Sequence, residues 1–395
     1  MKNNININDL KIAYQYKTNK ELKFTYYIFK ILQQPSLLKL LTSCTNSILK
    51  YKLPLQFFIK NTVFKIFCAG ESIDEAFIKI NYLKKYDVKS VLDYVSEGEK
   101  NEKSFDYNTE IIVSNIIRLG KETKDNYVSV KISGLEDPEF LTICNGREFP
   151  KETIMSARFE KLMNRIDLIC YNAEKSKVVL FIDAEDRCMQ DILDLITEQM
   201  MEKYNKEYAV VFNTLQMYLK DRLKYLNNLI EDAERKKYIP GIKLVRGAYV
   251  EKEREAALKE NRVSPVYDTK TETDNAFNKA IEICLQGYQK IHSCIATHNN
   301  ESTLLAIHYI EKFGIANHFD KVRFSQLYGM SDNLTFNLGK NGFNTSKYLP
   351  YGEVKKAIPY LIRRSEENSS INGQINDEVT RLKNEIRRRK YLVAK

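Results

Sequence analysis

The run Val178-Val179-Leu180-Phe181-Ile182-Asp183 is apolar at every position until it stops on a carboxylate, and Ala209-Val210-Val211-Phe212-Asn213 repeats the form further along. Strands apolar on both faces belong to parallel sheets, whose two sides are both covered. Six further β-rich runs occur, Ser90–Tyr94, Tyr127–Ile132, Ile242–Arg246, Ile291–Thr297, Val322–Gln326 and Thr345–Leu349, with segments of helical period between them. Eight strands alternating with helices predict an α/β fold of the (β/α)8 TIM-barrel type. The competing fold, an open doubly wound sheet, lacks its fingerprint, because no Gly-x-Gly-x-x-Gly follows an early strand.

Ahead of these runs, apolar residues from Asp9 to about Tyr86 recur at helical spacing, for example Tyr26, Phe29, Leu32 and then Leu37, Leu40, Leu41. Residues 1–86 are therefore expected to form a helical region, 87–370 the barrel, and 371–395 a basic helical tail. In the tail, Val379, Leu382 and Ile386 precede the basic run Arg387–Lys390. That run reads as a solvated helix end, where the helix dipole favours cations. Glu97–Asn108 and Asn261–Asp274, the second containing Pro265, look like polar insertions.

The 395 residues are 43% hydrophobic and 29% charged, the balance of a globular chain long enough for one barrel with additional helices. A net charge of +10 suits nucleic acid, an acidic membrane or an anionic ligand. Because Lys, Asn and Ile are all plentiful, it is read as a bias of composition, and no nucleic acid is expected as a partner. Seven cysteines without a Cys-x-x-Cys pair indicate neither a disulfide frame nor a zinc site, hence a reducing compartment. Met1–Leu10 lacks the features of a signal peptide, so a cytoplasmic location is expected. The most apolar region, Phe24–Phe67, is interrupted by polar residues every few positions and does not reach the roughly 18 apolar residues of a membrane span. Four histidines in no metal-binding spacing, and no Gly-x-Ser-x-Gly, argue against a metal centre and a serine nucleophile.

Polar side chains gather where the strands end: Lys131, Asp183, Glu185, Gln216, Tyr218, Lys243, Arg246, Thr297, His298, Asn299, Gln326, Tyr328 and Tyr348. In a barrel these ends form one rim, the place where active sites are built. Asp183 and Glu185 could each cap a helix and His298 could be a satisfied core residue. Helix capping alone does not call for Gln, His, Tyr, Lys and Arg together. Further on, Tyr360, Arg363, Arg364 and Glu367 fall on one face of a helix that Pro359 is suited to start. They form either a surface ion-pair helix or, if the helix leans over the rim, a forked grip on a carboxylate.

Several strings, in order, resemble proline dehydrogenase: Phe181-Ile182-Asp183-Ala184-Glu185, Val211-Phe212-Asn213-Thr214-Leu215-Gln216-Met217-Tyr218, Ile242-Lys243-Leu244-Val245-Arg246-Gly247-Ala248-Tyr249, Ala296-Thr297-His298-Asn299, Phe324-Ser325-Gln326-Leu327-Tyr328-Gly329-Met330, and Tyr348-Leu349-Pro350-Tyr351-Gly352 through Asn368. The resemblance covers about residues 70 to 370, and the N-terminal helices look like those of single-function bacterial members. It implies a barrel whose last helix crosses the mouth over bound FAD. Lys131, Arg363 and Arg364 would then bind the proline carboxylate, Asp183 and Glu367 would hold those cations, and Tyr348, Tyr360, Tyr249 and Leu327 would wall the ring. Ala184, Gln216, Lys243, Arg246, Gly247, Ala248, Tyr249, Thr297, His298 and Asn299 would contact FAD. Asp183 and Lys243 would lie closest to the chemistry. Lys243 stands where many members place an Arg beside the flavin, and it keeps a cation while losing the forked geometry.

The implied reaction oxidises L-proline to Δ1-pyrroline-5-carboxylate and passes electrons to a membrane quinone through a peripheral contact, with the N-terminal helices and the tail as candidate surfaces. A separate pyrroline-5-carboxylate dehydrogenase would follow, because the aldehyde dehydrogenase domain of bifunctional relatives is not seen after the barrel. A hydroxyproline dehydrogenase of the same fold is the nearest rival, and the bulk of Tyr348 argues against it. A non-catalytic basic binding protein is a more distant one.

Overall fold

A computed structural model describes residues 5–34, 56–96, 100–123, 127–145, 153–315, 320–358, 360–362 and 372–393. Eight parallel strands close in sequence order: β1 Lys89–Tyr94, β2 Tyr127–Val130, β3 Val179–Ile182, β4 Val211–Gln216, β5 Gly241–Val245, β6 His292–Ala296, β7 Val322–Leu327 and β8 Thr345–Tyr351. All eight expected strands are present. β4 extends three residues beyond the expected Asn213, so Gln216 is its last residue, and β8 runs past the expected Leu349 to Tyr351. The chain divides into two compact units, Val91–Phe324 and Met1–Ser90 with Ser325–Lys395.

Within Val91–Phe324, side chains alternate between the lumen and the outer helices because a strand repeats every two residues. Arg323 of β7 lies 5.0 Å from the Phe212 ring of β4 and 5.5 Å from the Tyr127 ring of β2. These strands are not neighbours, so their contacts run through the lumen. Phe181 meets Tyr127 at 5.6 Å and Phe212 at 5.3 Å between ring centroids. Gly241 makes room for this layer, since a Cβ there would stand 2.4 Å from the Val211 carbonyl oxygen and 2.7 Å from the Phe212 ring.

The outer helices begin on side-chain caps. Asn101 caps the helix Glu102–Glu122 and Thr269 forms a capping box with Glu272 at the start of Lys270–Gln286. Both expected insertions are thus shorter than the sequence suggested: residues 102–108 and 270–274 are the first turns of helices. The polar, unpatterned composition that suggested loops is also the composition of a capped first turn.

The other unit joins the segment before the barrel to β8. Ala69 N–H donates to the Pro350 carbonyl at 2.7 Å and Gly70 bridges Tyr351. Its centre is the buried carboxylate of Asp332, which takes a hydrogen bond from Tyr16 at 2.6 Å and faces Lys347 Nζ at 2.9 Å and Lys17 Nζ at 3.7 Å. Burial alone would raise the Asp332 pKa, but the Lys347 and Lys17 charges and the Tyr16 hydroxyl outweigh it and hold it below the usual carboxylate range.

The tail departs from expectation. The helix Asn372–Val393 packs on the helix Asn19–Leu32. Arg388 and Arg389 both pair with the buried Glu385, and Arg389 also donates to the Tyr14 and Lys17 carbonyls at 2.7 and 2.8 Å. These two arginines are docking residues, not part of a solvated end. No helix among the described residues is long and apolar enough to cross a membrane.

Asp332→Ala leaves Lys347 and Lys17 without the carboxylate between them, and breaking such a buried pair costs about 3 to 5 kcal/mol. Urea unfolding at pH 7 should show a loss of that size. Because the folded Asp332 pKa is depressed, the stabilisation it gives is present above the unfolded carboxylate value and fades as pH falls through the lower folded value. The gap between parent and variant should therefore narrow in acid. A variant as stable as the parent at pH 7 contradicts the assignment.

Candidate active site

In the unit Val91–Phe324, the polar residues sit one layer above the aromatic floor. Asp183 follows β3 directly, with its N–H bonded to the Val130 carbonyl at 2.9 Å. Its Oδ1 accepts a hydrogen bond from Lys243 Nζ at 2.5 Å, and that ammonium stands 5.4 Å from the Phe181 ring. Lys243 belongs to β5 and Asp183 follows β3, so this bond too spans the lumen past β4. Lys131 Nζ is 3.8 Å from Asp93, whose other oxygen accepts from Ser129 at 2.8 Å. Here each rim cation has a carboxylate beside it.

Gln216 closes β4 and donates from Nε2 to the Glu185 carbonyl at 2.8 Å. Glu185 is a clamp: its carboxylate accepts from the Ser133 N–H at 3.0 Å and from the Ser133 hydroxyl, and its own N–H donates to Gln190 at 3.0 Å. It ties the turn after β2 to the turn after β3, which also carries the half-buried Ala184.

Arg246, just past β5, is held on three sides. Nε donates to Asp274 at 2.6 Å, Nη1 to the Thr297 hydroxyl at 2.7 Å and Nη2 to the Ser302 hydroxyl at 2.9 Å, with the guanidinium 4.3 Å from the Phe277 ring. Burial would raise the Asp274 pKa, but hydrogen bonds from Lys270 and Arg246 keep it below the usual range. Beside it Asn299 caps the helix Asn300–Lys312 by accepting from Ser302 N–H at 2.8 Å, while its own N–H reaches the Thr297 hydroxyl at 3.1 Å. His298 lies between them, half-buried. Two cations and a helix N-terminus within one corner suit a phosphate-bearing cofactor.

The turn Gly247-Ala248-Tyr249 completes this side. Gly247 has φ +125°, and a Cβ there would stand 1.6 Å from a Tyr218 ring carbon. Tyr218 itself packs with Leu219, Val266 and Val250, so it is a core residue under the turn and not the rim donor the sequence suggested. Its burial pushes the phenol far above its usual range.

In the other unit, the Ser346 hydroxyl donates to Ser325 at 3.1 Å, which sets the parity of β7 and β8. Ser325 shares its strand face with Leu327, and Ser346 shares its face with Tyr348. Tyr348 is buried and Leu327 half-buried. Gln326 has the opposite parity and accepts from Thr335 on the helix Asp332–Lys340 at 2.8 Å. Tyr328, also expected at the rim, lies in the field of Asp332, Glu21 and Tyr82. Both are packing residues. Tyr360 is buried in the helical turn 360–362, and Pro359, Arg363, Arg364 and Glu367 lie outside the described residues. The residues that sequence reasoning missed are Asp93, Ser133, Asp274 and Ser302. Each is an ordinary polar residue whose role comes from a partner distant in sequence.

The family model described as Proline dehydrogenase matches residues 76–377. The chain belongs to the proline dehydrogenase family. Proline dehydrogenase 1, mitochondrial, of Dictyostelium discoideum is 31% identical over 98% of this chain and 77% of its own length. The carbapenem antibiotics biosynthesis protein CarD of Pectobacterium carotovorum subsp. carotovorum is 32% identical over 82% of this chain and 84% of its own. Hydroxyproline dehydrogenase of Xenopus laevis is 26% identical over 96% of this chain and 89% of its own. Among solved structures, proline utilization A from Bdellovibrio bacteriovorus matches the fold with a TM-score of 0.71 at 22% identity, over 92% of this chain. The chain spans 38% of that protein's length.

Gly247→Ala forces a side chain into a left-handed backbone position occupied by the Tyr218 ring, and such strain costs about 1 to 3 kcal/mol. Urea unfolding should show at least that loss. An alanine variant as stable as the parent would contradict the packing of Tyr218 under this turn.

Proposed function

We propose that this chain is a flavoenzyme that oxidises L-proline to Δ1-pyrroline-5-carboxylate and delivers the electrons to a quinone. The observation that carries the reading is the Lys243–Asp183 bond across the lumen, next to the buttressed Arg246 corner, in a chain of the proline dehydrogenase family. Gln216, Lys243, Arg246, Thr297, His298 and Asn299, with the backbone and small side chains of Ala184, Gly247 and Ala248, would hold FAD. The helix N-terminus at Asn300 and the Arg246 cation fit its phosphates, and the buried Lys243 fits its electron-rich ring edge. When bound, the flavin supplies the acceptor for the hydride removed from the carbon beside the ring nitrogen.

The chain's own residues bind and orient the substrate. Arg363 and Arg364 take the proline carboxylate as a fork, with Lys131 as a third cation. Asp183 and Glu367 hold these cations in place. Tyr348, Tyr360, Tyr249 and Leu327 wall the ring and exclude water. The bound amine must be neutral, and the surrounding positive charge favours loss of its proton.

The product is a cyclic imine, and a separate dehydrogenase would consume its open-chain aldehyde. Quinone reduction implies contact with a membrane surface. Since Arg388 and Arg389 are committed to Glu385, the exposed Phe57 and Phe58 near the N-terminal side are better candidates for that contact than the tail. The likeness to a hydroxyproline dehydrogenase keeps a second reading in view, and Tyr348 is the residue that opposes it, because a ring hydroxyl needs room and a partner.

A dye-coupled assay tests both readings. The parent should turn over L-proline in preference to hydroxyproline, and Tyr348→Ser should lower kcat/KM for proline and shift the ratio toward hydroxyproline. An unchanged ratio would remove Tyr348 from the substrate pocket.

Arg363→Ala and Arg364→Lys should each lose about 3 to 5 kcal/mol of transition-state binding, the cost of underpairing a buried charge. That corresponds to on the order of a hundredfold to a few thousandfold in kcat/KM. Lysine fails because a point charge does not reproduce the fork. Flavin content, read by absorbance, should stay at the parent level. Near-parental turnover in either variant takes that arginine out of the site.

A further inference from the structure

The lumen floor contains a charge that the proposed chemistry does not yet use. Arg323, on β7, is 1% exposed. Among the described residues no carboxylate pairs with it. The guanidinium is hydrogen-bonded to the Tyr208 hydroxyl and the Tyr127 side chain, while Nε and Nη1 have no hydrogen-bond partner. Three aromatic rings surround the group, Phe212 at 5.0 Å, Tyr127 at 5.5 Å and Tyr208 at 5.6 Å. The adjacent His292 adds no second charge, because burial and then the Arg323 and Lys321 charges push its pKa down to about 3. The Tyr208 hydroxyl donates in turn to the Asp320 carbonyl at 3.1 Å.

A buried, unpaired cation is a poor way to stabilise a barrel. Ring faces recover part of its lost hydration, but an apolar side chain of similar length would fill the floor without that cost. In the layer above, Lys243 is matched by Asp183 and Lys131 by Asp93, whereas Arg323 has no carboxylate beside it among the described residues. The field of an unscreened charge in a dry interior extends along the barrel axis to the rim.

We propose that Arg323 acts as a fixed positive charge under the active site, raising the tendency of the bound flavin to be reduced. The inference rests on the reading that a flavin sits over the rim. Oxidised flavin is neutral at its ring, and taking up two electrons and one proton leaves it with one negative charge, which a cation below stabilises. From Phe212 at the floor to Gln216 at the rim is four residues, roughly 13 Å at the usual strand rise of about 3.3 Å. A unit charge at that distance, with an effective dielectric of about 20, changes the reduction equilibrium by about five- to tenfold.

Arg323→Met, which keeps length and apolar packing, and Arg323→Lys, which keeps the charge, separate this role from a structural one. The readout is the flavin midpoint potential, from redox titration against a reference dye, together with thermal unfolding. The methionine variant should have a reduction equilibrium constant about five- to tenfold lower and a melting temperature no lower than the parent, and the lysine variant should stay within about twofold of the parent. If the methionine variant does not fold, Arg323→Gln, which retains a donor for Tyr208, takes its place with the same expected shift. A neutral variant with the parental potential, or a lysine variant as shifted as the methionine one, overturns the proposal. A parent protein that binds no flavin overturns the reading of the function instead.

Discussion

Side chains from the strands must alternate between an outer surface covered by helices and a lumen too narrow for bulk water, and this alternation governs the rest of the molecule. In β4 it sends Phe212, Thr214 and Gln216 inward in succession: an aromatic floor, a hydroxyl bonded to the Ile182 carbonyl at 2.7 Å, and an amide bonded to the turn that carries Glu185. In β5 it sends Lys243 inward, where desolvation would be costly without the carboxylate of Asp183. A polar layer in such a lumen is possible when partners come from non-adjacent strands, and the Lys243–Asp183 bond is of that kind.

The same parity explains what the sequence could and could not disclose. Strands buried on both faces stand out as apolar runs, so all eight were legible, with errors of a few residues at their ends. Polarity at a strand end was legible as well, but its direction was not. Gln326 and Tyr328 looked like rim residues beside Leu327, yet the Ser325–Ser346 contact fixes Leu327 on the lumen side and turns Gln326 toward Thr335. Tyr218 was misread for a different reason: its ring is needed to support Gly247, a contact that neither residue signals alone. The buttress of Arg246 was hidden because Asp274 lies in what looked like an insertion and belongs to a capped helix.

Charge was the least legible property. The basic run near the end of the chain looked solvated, but Arg388 and Arg389 converge on a carboxylate that is fully buried, Glu385, and dock the last helix on the first ones. Lys347 reads as an ordinary strand lysine and in fact lies in the Asp332 cluster together with Tyr16 and Lys17. The Glu385 pairings are local to one helix, but the contacts that bury them, Arg389 to the Tyr14 and Lys17 carbonyls, and the Lys347–Asp332–Tyr16 cluster join different elements, and composition carries no trace of them. Arg323 is the reverse case, a buried cation for which no carboxylate partner is found among the described residues. The proposed chemistry gives it a use that packing does not.

The most direct test of the account is anaerobic addition of L-proline to the purified, flavin-loaded protein while the visible spectrum is followed. The account predicts that the flavin bands bleach and that about one equivalent of Δ1-pyrroline-5-carboxylate forms per flavin, with hydroxyproline acting more weakly. A protein that holds flavin yet keeps its oxidised spectrum in saturating proline would contradict it.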